Sequence, residues 1–199
     1  DVSENTGDFI VTGDASGYSY DAETHVLTVN DGADITISGT TTQDHIVVAD
    51  SAAAAITLNG VDIQFSDGSA SYGSADETDA GTCALSVENN ASLILNLSGE
   101  NTLKSGAGRA GIHVAENASL TIRGDGKLTV TGGNCAAGIG GGLWNNAGNI
   151  TIEGGTIEAT GGSDGAGIGG GHANDALING QSHRYGGFQS ISITGGTVT

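Results

Sequence analysis

Residues able to do chemistry concentrate in three stretches of this 199-residue chain. Gly140 to Gly148 holds Leu143-Trp144-Asn145-Asn146, and Gly169 to Ser190 holds His172, Asp175, His183, Arg184, Tyr185 and Phe188. Aromatic rings stack on the C–H faces of sugars, and amides and charged groups bond sugar hydroxyls. Trp144, Asn145, Asn146, Asp175, His183, Arg184 and Tyr185 therefore read as one binding site for a polysaccharide, with Trp144 and Tyr185 as stacking platforms. The competing expectation is that Trp144 and Phe188 fold down as packing over the core. The third stretch, Ser66 to Gly81, carries Asp67, Asp76, Glu77 and Asp79. Ca2+ takes oxygen ligands of this kind, so Asp76, Glu77 and Asp79 are the metal candidates, against the plainer reading of a solvated acidic loop. His172, Asp175 and His183 are spaced too irregularly to spell a transition-metal site, and neither loop matches an EF-hand or the calcium-binding nonapeptide.

These stretches interrupt a repeat. Ala137-Gly138-Ile139-Gly140-Gly141-Gly142 recurs as Ala166-Gly167-Ile168-Gly169-Gly170-Gly171, 166 − 137 = 29 residues later. Between the copies lies Ile150-Thr151-Ile152-Glu153-Gly154-Gly155-Thr156-Ile157, echoed by Ile191-Ser192-Ile193-Thr194-Gly195-Gly196-Thr197-Val198. Periods of this size mark stacked-repeat architectures, and apolar/polar alternation marks strands with one face buried. The 36 glycines and absent proline argue against helix and leave turns to Gly, Asn and Asp.

Aligning the repeats places Ile46/Val48, Leu85/Val87, Ile112/Val114, Ile139 and Ile168 in one inward column. A second holds Ile56/Leu58, Leu93/Leu95, Leu120/Ile122, Ile150/Ile152 and Ile191/Ile193. A third holds Ile63/Phe65, Leu103, Leu128/Val130, Ile157/Ala159 and Val198, and Leu27/Val29 with Ile35/Ile37 make a partial coil beforehand. The fold class predicted is all-β: a right-handed parallel β-helix with three strands per coil and about five to six coils. Residues 1–30 fall outside the repeat and read as an N-terminal β cap, with residues 31–199 as the β-helix. The last strand, Thr197 to Thr199, has no cap of its own. We expect further repeats beyond it, or self-association at this open C-terminal coil. Asn90 aligns above Asn117 at a turn suited to left-handed backbone. Cys83 and Cys135 fall about two coils apart, beyond the ~7 Å Cα reach of a disulfide, and read as free buried thiols. The loops at 140–148 and 169–190 leave the same corner of consecutive coils, so they should meet.

Formal net charge is −18. Residues 1–103 carry 17 acids and no Lys or Arg, whereas residues 104–199 carry 6 acids and all five bases. Such a field disfavours nucleic acid and anionic membrane surfaces, and no apolar run is long enough for membrane insertion. Acidity and fold type suggest an extracellular protein, secreted or at the cell surface. The glycine-rich turns lack the Lys-Ser/Thr of a phosphate loop and read as places where backbones stack too closely for side chains. Paired carboxylates at catalytic separation are not evident on the strands, and outward Thr residues such as Thr129 and Thr131 are ordinary strand chemistry, a weak hint of an ice-binding array.

The run Ile150 to Gly162, followed by Gly165 to Gly171, resembles repeats of large bacterial cell-surface proteins and is similar to β-helix carbohydrate-binding domains. The likeness covers about residues 84–199. It implies an extracellular right-handed β-helix that binds a polysaccharide, such as a host or cell-wall glycan, often with calcium; no catalytic residue transfers. The expected function is therefore a non-catalytic glycan-binding module. A structural stalk or adhesin segment is the alternative, and a polysaccharide lyase acting through Arg184 is the remote one.

Overall fold

A computed structural model describes residues 4–71, 77–172, 176–178, 181–183 and 186–199. Its strands in chain order begin with β1 (Glu4–Thr6), β2 (Phe9–Gly13), β3 (Tyr18–Asp21), β4 (Val26–Val29), β5 (Asp34–Thr41), β6 (His45–Val48) and β7 (Ala53–Gln64). There follow β8 (Leu85–Val87), β9 (Ser92–Ser98), β10 (Glu100–Lys104), β11 (Ile112–Val114), β12 (Ser119–Gly124), β13 (Lys127–Thr131) and β14 (Ile139–Gly140). The last are β15 (Ala147–Ile152), β16 (Thr156–Thr160), β17 (Ile168–Gly169), β18 (Ala176–Ile178), β19 (Gln181–His183), β20 (Phe188–Ile193) and β21 (Thr197–Val198). Among the described residues, no helix is long and apolar enough to cross a membrane.

Strands one repeat apart pair in parallel. A seven-stranded sheet runs β17-β14-β11-β8-β6-β4-β3, and a curled twelve-stranded sheet runs β20-β15-β12-β9-β7-β10-β13-β16-β21 with β5, β2 and β1 attached. Parallel strands buried on one face stack like side chains on like, which aliphatic residues at every second position satisfy. In the seven-stranded sheet Leu27, Ile46, Leu85, Ile112, Ile139 and Ile168 form one unbroken register column. In the larger sheet Ile35, Ile56, Leu95, Ile122, Ile152 and Ile193 form another. Both columns belong to one apolar core, except that Ile193 at the last repeat is largely exposed. Each fully buried Leu or Ile contributes about 1.5–3 kcal/mol relative to exposure.

Two predicted pairings are corrected. Ile56 sits beside Leu95 and not Leu93; Ala54 takes the position beside Leu93, and Leu58 pairs with Leu97. The shift is by two residues, so every side chain keeps its face, which is why alternation alone could not fix it. Asn101 occupies the position beside inward Leu128, next to Leu103 beside Val130. The buried amide is satisfied there: Gly60 N and Val61 N donate to Oδ1 at 3.0 Å each, and Nδ2 donates to the carbonyls of Ser98 (3.0 Å) and Lys127 (3.2 Å). It thus supplies partners for backbone at the sharp corner where β7 turns from one face to the next.

The glycine pairs have the expected cause. A Cβ on Gly133 would lie 1.8 Å from the Gly106 carbonyl oxygen, and one on Gly162 would lie 1.9 Å from that of Gly133. Backbone therefore stacks directly on backbone at this corner, and any side chain would push the repeats apart. Of the aligned turn asparagines, Asn90 takes the left-handed conformation (φ 59°). Both cysteines are free thiols.

At the first end the pairing turns antiparallel: β2 lies on β5, β1 on β2, and β3 on β4. The buried Asp44 carboxylate ties these pieces together. It accepts from Asp8 N (2.6 Å) and Tyr20 OH (2.7 Å) and meets His25 Nδ1 at 2.9 Å. Burial first, then the bond to Asp44 and its charge, push the Tyr20 phenol up to about 12.

Candidate functional site

Outward positions of the seven-stranded sheet form the floor of a trough. On β6 they are His45 and Val47; Ser86 follows on β8 and His113 on β11, each between inward neighbours. Two cavities lie over this floor, one of about 400 Å³ and one of about 220 Å³. Both are lined by Glu88 and His113, so they adjoin and cross successive strands.

The first cavity is walled by the chain re-entering after the acidic insertion. Gly81 N donates to Ala107 O (2.7 Å), Gly106 N to Thr82 O (2.9 Å), and Arg109 Nε to Gly81 O (3.2 Å). Beneath this wall Ser105 Oγ donates to Ala110 O (2.7 Å) and accepts from Ala84 N (2.8 Å). Cys83 lines the cavity, with its thiol donating to Leu85 O and Ala110 O, and burial pushes that thiol up to about 11. A group so rarely ionised near neutral pH is a poor nucleophile. His45 packs edge-on to Phe65 with ring centroids 6.4 Å apart, and burial holds it below the ordinary histidine value. Among the described residues its buried Nδ1 has no hydrogen-bond partner, which suits a neutral imidazole.

The second cavity is lined by Trp144, Asn145 and Asn146 together with Glu88, Asn89 and Glu116. Trp144 has a left-handed backbone (φ 63°) and lines this cavity. It packs against the small cluster of Ala70, Cys135 and Leu143 and meets His172 edge-on at 5.9 Å. The indole is thus half-buried: it shares the satellite packing and still lines the cavity. Asn146 Nδ2 donates to Glu116 Oε1 (3.3 Å), and its Oδ1 accepts from Gly187 N (2.9 Å). Ala147 N also donates to Gly187 O (2.9 Å), so the two corner loops meet at their described residues.

Of the other predicted site residues, Asp175, Arg184 and Tyr185 lie outside the described residues, as does the His183 side chain; the His183 backbone is in β19. Phe188 is largely exposed. Among the metal candidates, Asp76 and the Glu77 side chain also lie outside the described residues. Asp79 is exposed, and its carbonyl accepts from Ser69 N and Ala70 N. Asp67 in the same insertion is engaged by Thr82 N (2.9 Å) and Oγ1 (2.7 Å). Among the described residues no three His, Cys, Asp or Glu side chains gather as a metal site.

Sequence reasoning missed His45, Ser86, Glu88, His113 and Glu116. The signal was present: in the aligned segments Leu85 to Val87 and Ile112 to Val114, Ser86 and His113 take the outward places. What alternation could not supply was the loop that walls them in.

Residues 120–143 and 150–172 match a family model described as a β-helix repeat. Together with the curled parallel sheets and register columns, this match supports a parallel β-helix repeat fold. Neither the search of curated proteins nor that of solved structures found a match.

Proposed function

We propose that the trough is a non-catalytic binding site for a polysaccharide chain, in a bacterial protein that is secreted or displayed at the cell surface. The observation that carries this reading is the Trp144 indole at the end of a cavity lined by amides and carboxylates from consecutive repeats. Such a mixture of one flat apolar face and many hydroxyl-bonding groups suits sugars, and a trough crossing stacked strands suits a polymer over a single small molecule. The chain is taken in this reading as a right-handed helix of about five to six three-stranded coils, with residues 1–30 closing its first end.

The test is a glycan array run with and without calcium, followed by reducing-end and unsaturated-product assays on every retained polymer. Retention of at least one polysaccharide, loss of it in Trp144→Ala, and no released product are expected. No retention on any glycan would sink the proposal in favour of a stalk or adhesin segment; product release would move it to an enzyme.

A further inference from the structure

The smaller cavity brings two carboxylates, Glu88 and Glu116, to the same space as the Trp144 indole. They arrive from consecutive repeats, since Val87 pairs with Val114 and each acid follows its strand within two residues. Both are engaged by neutral donors. Glu88 accepts from the Ser86 hydroxyl, and Glu116 from the amides of Asn146 (3.3 Å) and Gln189 (3.5 Å). Among the described residues neither joins an ion pair; the two pairs formed there are His25–Asp44 and Lys127–Glu158. Arg109 lines the larger cavity and not this one.

Among the described residues this lining holds an aromatic face, two carboxylates and no Lys or Arg, with His113 as its one titratable base, and such a setting favours a ligand that brings its own positive charge. The indole attracts a cation as well as a sugar face, and the carboxylates stabilise an ammonium nearby. The field of the whole chain acts in the same direction, because 17 acids and no Lys or Arg lie within residues 1–103. A uronic-acid chain would meet like charge at both ranges, and a neutral chain would leave the charge unused. Resting on the glycan-binding reading above, we infer that this site selects glycans bearing protonated amines, the glucosamine residues of a partly deacetylated polymer, over neutral and uronic-acid glycans. The cavity and indole make the site; the carboxylates set its selectivity.

The experiment titrates the full chain calorimetrically with glucosamine, N-acetylglucosamine, glucose and galacturonate oligomers of equal length, at low salt and at a pH where the sugar amine is protonated. The glucosamine oligomer should bind about tenfold tighter than its N-acetyl form. Glu88→Gln and Glu116→Gln should each weaken it roughly three- to fivefold, and the double variant should erase the preference. Glutamine retains an oxygen acceptor for each neutral donor, and circular dichroism checks that the fold is kept. Equal affinity for a neutral oligomer, or a preference that survives in the double variant, overturns this inference and leaves the glycan site standing. Failure of all four oligomers to bind overturns both. A lysine oligomer bound as tightly, with Trp144→Ala having no effect, would reduce the selectivity to net-charge attraction and overturn it.

Discussion

The outer face of the twelve-stranded sheet and that of the seven-stranded sheet stand on the same stacked interior and have come to different ends. On the larger sheet Thr121, Thr151 and Ser192 follow one another in register, and the longer polar groups bond among themselves. Arg123 Nε donates to Asn96 Oδ1 (2.7 Å), Ser190 Oγ to Asn149 Oδ1 (2.7 Å), and Lys127 pairs with Glu158 at 3.0 Å. The smaller sheet has shorter strands, and chain leaving its corners rises beside them: Gly81 to Cys83 with Arg109 on one side, Trp144 to Asn146 at the end. A repeat that stacks well makes a flat face by itself. Concavity comes from residues inserted between repeats, where added length leaves the register of the columns untouched.

Both faces are most vulnerable from beneath. Ile122 is fully buried between Leu95 and Ile152 in the stack. Ile122→Ala should cost about 2–5 kcal/mol in urea unfolding and damage both faces together. The adjacent outward change Thr121→Ala should stay within about 0.5 kcal/mol. If the two cost the same, the shared interior is not what supports the faces.

Next in size, Trp144→Ala should weaken glycan binding about tenfold, or about 1.4 kcal/mol. Thr151→Ala on the flat face should leave binding unchanged, and an array signal that follows Thr151 would put the site on the wrong sheet.

Acid distinguishes the faces more gently. His45 is held below the ordinary histidine value by burial, against the opposing charges of Asp44 and Asp67 and alongside that of His25. Its neutral form therefore favours the folded state above the unfolded value of ~6.5, and that contribution is lost as pH falls through the lower folded value. Thermal unfolding followed from pH 7 downward should show this loss, and His45→Phe should flatten it. An unchanged slope in the variant would remove His45 as the cause.

The smallest effect belongs to the flat face. Lys127 and Glu158 are exposed, and Lys127→Ala should cost under about 1 kcal/mol in low salt and less in high salt. A larger, salt-insensitive loss would mean that this face is organised more tightly than its flatness suggests.

What the sequence determined alone was the stacking: alternating Ile, Leu and Val at a constant offset can bury their faces only against the same residues one repeat away. The columns through Leu85 and Ile112 and through Leu120 and Ile150 follow from that periodicity. The glycine pairs marked the corners for the same reason, since backbone approaching to within a side chain's radius excludes every other residue. Where the repeat lapses, alternation loses its authority. It could not choose between Leu93 and Leu95 as the partner of Ile56, because both lie on the inward face, nor foresee Asn101 turned inward to serve the backbone of a corner. Tertiary structure alone decided the trough. Ser66 to Cys83 is not periodic, and the course of its last residues, Gly81 to Cys83, depended on bonds to Ala107, Gly106 and Arg109 that lie a full repeat away in the chain. Those bonds turn outward residues of an ordinary strand, His45, Ser86 and His113, into the floor of a cavity.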